Sequence, residues 1–68
     1  MYSFEQATAK AKQYLTNQGI WFVTLIEAKV EGQKWVITYQ DTVLFGTEKY
    51  VVELDKETGQ ILSYRRYK

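Results

Sequence analysis

Glu53, Asp55 and Glu57, three carboxylates within five positions, come nearest to a chemical site in this sequence. Such a group could supply oxygen ligands to a divalent cation or serve as an acid/base pair. Calcium needs several oxygens from a loop wrapped around it. The segment Asp55-Lys56-Glu57-Thr58-Gly59 lacks the length and ligand density of such a loop, and Lys56 places a cation in its middle. The preferences of Asp and Gly make the segment a turn. No catalytic, metal-binding or cofactor-binding residue is assigned, and no cofactor is expected.

A second constellation is Tyr64-Arg65-Arg66-Tyr67-Lys68, where basic groups alternate with rings. Rings stack on bases and guanidinium groups hold phosphates, the combination used on single-stranded nucleic acid. Trp21, Tyr39 and Tyr50 would enlarge that surface if they shared the exposed sheet face. The competing reading is a terminal strand whose tyrosines pack and whose arginines pair with Glu53 or Glu27 across the sheet. Nine Lys plus Arg against eight Asp plus Glu leave a net charge of +1, which provides no general field for a polyanion. Nucleic acid is therefore the disfavoured partner.

The third candidate is apolar. Val43-Leu44-Phe45, with Trp21 or Trp35, could form a contact surface, a short edge strand, or a flap over an open end of the core. With no cysteine and no histidine the chain has neither a thiol nucleophile nor an imidazole base, and it lacks the two commonest zinc ligands. Only carboxylates, Lys and Tyr remain for proton transfer, and no glycine-rich phosphate loop is present, so an enzyme is not expected.

These residues have to be positioned by a single domain, because 68 residues leave no room for a second core. A chain of this size buries only about 60% of its unfolded surface. Eleven aromatic residues (six Tyr, three Phe, two Trp) supply contact area that partly offsets this. Residues 3–18 read as a helix. Ser3 is its N-cap, Gln6 completes a capping box, and Gly19 occupies the left-handed position after its end. Phe4, Ala7, Ala11, Tyr14 and Leu15 recur at helical spacing, and the two alanines let the helix axis lie close to a flat partner.

Strands are expected at about 20–30, 33–40, 49–54 and 60–67, all joined by short connections. A turn at Glu31-Gly32 sets Ala28 opposite Trp35, Ile26 opposite Ile37 and Thr24 opposite Tyr39, at the cost of setting Lys29 opposite Lys34. Asp55 to Gly59 closes the last hairpin, with Gly59 left-handed and Asp55 accepting from its own turn. The fold class is α+β, an N-terminal helix on a four-stranded antiparallel meander in the order α-β-β-β-β. A curved sheet of the cystatin kind could also enclose a small-molecule pocket.

The first strand has apolar residues of both parities. Trp21, Val23 and Leu25 fall on one side and Phe22 and Ile26 on the other, as though both faces were covered. A single helix covers one. The surplus points to burial against a second copy or another protein, with strand-edge pairing as another route.

Taken together, Ser3-Phe4-Glu5-Gln6-Ala7 with Ala11, Trp35-Val36-Ile37, and Tyr50 through Ile61 with Asp55-Lys56-Glu57-Thr58-Gly59 resemble a PepSY-type domain over most of the chain. Leu54-Asp55 through Tyr64-Arg65-Arg66-Tyr67 shows a lesser similarity to the C-terminal part of O-type gas vesicle accessory proteins. The PepSY resemblance implies a helix packed on an antiparallel sheet, with inhibitory or regulatory binding roles and no catalytic residues. Such domains are often extracytoplasmic or attached to membrane proteins. Here Met1 to Gln6 lacks a signal-peptide pattern, and the longest apolar run, Ile20 to Ile26, is too short to span a bilayer. A cytoplasmic location is the default expectation.

The expected function is a non-enzymatic interaction or regulatory module. It would bind itself, as a possible homodimer, or a protein partner. Trp21, Val23, Leu25, Val43, Leu44 and Phe45 on an apolar sheet face and the 41–48 loop are the contact residues. The alternative is a small nucleic-acid-binding protein acting through Tyr64, Arg65, Arg66, Tyr67 and Lys68.

Overall fold

The computed structural model describes residues 1–42 and 48–67. The candidates Val43, Leu44, Phe45 and Lys68 lie outside the described residues.

Ser3 starts the helix as expected. Its hydroxyl accepts from the Gln6 N–H at 3.1 Å while the Gln6 side chain accepts from the Ser3 N–H at 3.0 Å. Helix α1 then runs Phe4–Asn17. It ends in a Schellman arrangement, with the Ile20 N–H donating to the Leu15 carbonyl at 2.9 Å and the Gly19 N–H to that of Thr16 at 3.0 Å, Gly19 having φ 84°. That closure uses Ile20, which packs on the core beside the helix. Strand β1 therefore begins at Val23 rather than at residue 20.

The sheet consists of β1 (Val23–Glu31), β2 (Lys34–Asp41), β3 (Lys49–Asp55) and β4 (Ile61–Tyr67), each antiparallel to the next in the order β1-β2-β3-β4. This is the expected meander. The last turn also forms as expected: the Asp55 carboxylate accepts from the N–H groups of Glu57 at 2.8 Å and Thr58 at 3.0 Å, and Gly59 has φ 76°.

The first hairpin departs from expectation. Its turn is Gly32-Gln33, so Glu31 pairs with Lys34, Val30 with Trp35 and Ala28 with Ile37. Gly32, φ 63°, takes the first turn position, where two-residue hairpin loops need a left-handed residue. The shift sets Lys29 opposite Val36 and removes the expected clash with Lys34. A bulge between Leu25 and Glu27 then shifts the pairing by one residue, with Leu25, not the expected Thr24, opposite Tyr39 and Val23 opposite Asp41.

Ala7, Ala11 and Leu15 of α1 are fully buried against Trp35, Ile37, Tyr39, Tyr50, Val52 and Leu54. The aromatic polar tips tie the layers together: Tyr39 donates to the Thr8 carbonyl at 2.8 Å, and the Trp35 indole to the Tyr2 carbonyl at 3.0 Å. A helix is about 10 Å across and strands are about 4.8 Å apart, so one helix shelters roughly two strands of four. It lies on β2 and β3. Its reach extends to β4 through Tyr14, whose ring meets Tyr64 edge-on at 5.5 Å. The β1 margin is left with the least cover.

Candidate functional site

The three clustered carboxylates go separate ways. Glu53, 8% exposed, sits on the sheet face away from the helix and accepts from Lys34 Nζ at 2.9 Å, Ser63 Oγ at 3.0 Å and Arg65 Nη2 at 2.9 Å. The Lys34 ammonium foremost, with Ser63 and Arg65, holds its carboxyl below the usual carboxylate range despite burial. Asp55 is the turn acceptor, and the Thr58 and Glu57 N–H groups likewise hold it low. Glu57 lies 3.3 Å from the Met1 amino group. Among the described residues no three such groups converge on one point.

The basic and aromatic residues of β4 do not share a surface either. Strand alternation aims Tyr64 and Arg66 to the helix side and Arg65 and Tyr67 to the other. Tyr64 is half-buried between Tyr14 and Tyr50, and Arg65 is paired with Glu53, the packed arrangement weighed from the sequence. Tyr39 and Tyr50 are buried beneath α1, so they cannot extend a stacking platform. Burial, followed by the Glu48 carboxylate 2.8 Å from its hydroxyl and the charge of Asp41, pushes Tyr50 up to about 12.

The face away from the helix is polar. Among its paired residues Val36, Val51 and Tyr67 are apolar, set among Lys29, Lys34, Glu53 and Arg65. The apolar surplus expected for that face lies elsewhere, and the bulge is the reason. One extra residue in β1 returns Leu25 and Val23 to the helix side, the side of Ala28 and Val30, with Ile26 as the inserted residue that has no partner in β2. Strict alternation from the sequence puts Val23 and Leu25 on the face opposite Ala28, and the inserted residue is what overrides it.

On that side Val23 is half-buried against the core, while Leu25 is 36% and Val30 41% exposed, and Ile26 at the bulge is 50% exposed. At the strand's entrance Trp21 and Phe22 are 63% and 68% exposed. They flank an open depression of about 270 Å³ that Gly19, Ile20, Asp41 and Tyr50 also line. The Thr42 N–H donates to the Phe22 carbonyl at 2.9 Å, which ties the beginning of the 41–48 loop to this corner. Of the expected contact residues, Trp21 and Leu25 are on the open margin and Val23 is largely absorbed by the core. Sequence reasoning did not select Phe22, Ile26 or Val30. For Val30 the available signal is its place between Lys29 and Glu31 next to the hairpin glycine.

Among the described residues no helix is long and apolar enough to cross a membrane. Compared with protein-family models, curated proteins and solved structures, the chain matches none.

Proposed function

We propose that this chain is a non-enzymatic interaction module that docks a protein partner, or a second copy of itself, on the apolar margin of β1. The observation that carries this reading is the exposure of Leu25, Ile26 and Val30 on β1 together with Trp21 and Phe22 just before it. Sheltering a large apolar side chain is worth about 1.5–3 kcal/mol, so a small domain that leaves several open has a surface suited to a partner's apolar side chains. Thr42, just after β2, adjoins that surface through its hydrogen bond to Phe22. The PepSY-type resemblance agrees, since binding rather than catalysis is what it implies.

A random-peptide display selection on the immobilised chain, together with light scattering over a concentration series, tests the reading. The expected outcome is apolar peptides whose affinity falls about tenfold or more with Trp21→Ser or Ile26→Ser, and which tolerate Lys49→Ser on the polar face. A chain that stays monomeric and selects no peptide sensitive to Trp21 or Ile26 overturns it.

A further inference from the structure

We propose that the occupant of this margin is a second copy of the chain, joined by antiparallel β1-to-β1 pairing about a two-fold axis at Ala28, so that two sheets become one of eight strands. The inference rests on the interaction reading above and names its partner. Among the described residues β1 is an edge of the sheet, and an edge strand presents a row of backbone donors and acceptors on its outer side. Alternate residues turn both backbone groups to the same side, so an edge meets its own copy only in registers that pair residues of like parity.

Charge selects among those registers. The polar side of β1 carries Glu27, Lys29 and Glu31, with Lys29 3.0 Å from Glu31 and 3.8 Å from Glu27. An axis at Lys29 sets Lys29 against the partner's Lys29 and Glu27 against the partner's Glu31, and an axis at Glu27 sets two carboxylates face to face. With the axis at Ala28, Glu27 faces the partner's Lys29, and Lys29 faces the partner's Glu27. The same register sets exposed Ile26 opposite the partner's exposed Val30, twice. An axis at Val30 also pairs opposite charges, but Ala28 then falls on the partner's hairpin turn and leaves Ile26 uncovered.

A lysine and a bulge on an edge ordinarily discourage strand addition. The Glu-x-Lys-x-Glu row turns that guard into selectivity, because it repels the directly aligned copy and attracts the staggered one. All three side chains are about half-exposed, so the new pairs form without burying an ion completely.

The chain has no cysteine, so single-cysteine variants report the register directly. Residues facing each other across a hydrogen-bonded antiparallel pair have Cα atoms about 5.5 Å apart, within disulfide reach. Under a thiol redox buffer Ala28→Cys is expected to form a covalent dimer, while Lys29→Cys and Val30→Cys, which report the competing axes, are not. By sedimentation, Glu27→Lys and Lys29→Glu should each weaken association about tenfold, and the double swap should restore it. Circular dichroism of each variant confirms that the monomer folds. A monomer at millimolar concentration, preferential cross-linking at residue 29 or 30, or charge swaps without effect would overturn the proposal. A monomer that still selects peptides through Trp21 and Ile26 removes this dimer and leaves the broader reading standing, whereas losing both removes both.

Discussion

Glu53→Gln tests the polar face most sharply, because one carboxylate there accepts from three groups. The substitution keeps the shape and one acceptor oxygen, and it replaces the other with a donor aimed at cationic partners. Lys34 and Arg65 are 38% and 56% exposed, so water takes them over in part and each ion pair counts for less than a buried one would. Glu53 itself is 11% exposed at the side chain, and charge-assisted bonds to such a group contribute more than neutral ones. The expected loss is about 1–2 kcal/mol at pH 7, or roughly 5–15 °C in thermal midpoint for a domain of this size.

The pH dependence carries its own sign. The Glu53 carboxyl titrates below its unfolded value when folded, so its contribution is fully present above the unfolded pKa and is lost as pH falls through the folded one. Below that point a protonated Glu53 resembles glutamine. The gap between wild type and Glu53→Gln, measured by urea unfolding at a series of pH values, should therefore be widest near neutrality and close in acid. Equal stability at pH 7, or a gap unchanged down to strongly acidic pH, would refute the reasoning.

Two further outcomes follow from the packing. Gly59→Ala combines a left-handed backbone with a Cβ that would overlap the Tyr2 ring, so it should destabilise by more than the roughly 1 kcal/mol that the backbone alone costs, and the Trp35 fluorescence that reports the Tyr2 contact should shift in a Trp21→Phe background. Tyr50, pushed up to about 12, should remain protonated after exposed tyrosines ionise in a spectrophotometric alkaline titration. Because its folded value exceeds the unfolded one, its contribution is complete below about pH 10 and is lost as pH rises through about 12, a loss that Tyr50→Phe should abolish.

The sequence by itself determines every element whose signal closes within a few residues. Ser3 with Gln6 begins the helix, Gly19 ends it, and Asp55 with Gly59 turns the last hairpin, because each rests on hydrogen bonds between near neighbours. The number and order of strands follow from the same local signals. Tertiary structure alone decides which side chains of β1 face the helix. Side-chain direction alternates with period two, so the one residue inserted at Ile26 reassigns Leu25 and Val23, whereas moving the turn from Glu31-Gly32 to Gly32-Gln33 changes the partners of β1 and keeps Ala28 on the helix side. It also decides where the uncovered apolar surface lies. A helix about two strands wide must leave part of a four-stranded sheet open, and only the long-range packing of Ala7, Ala11 and Leu15 onto β2 and β3 leaves that opening along β1.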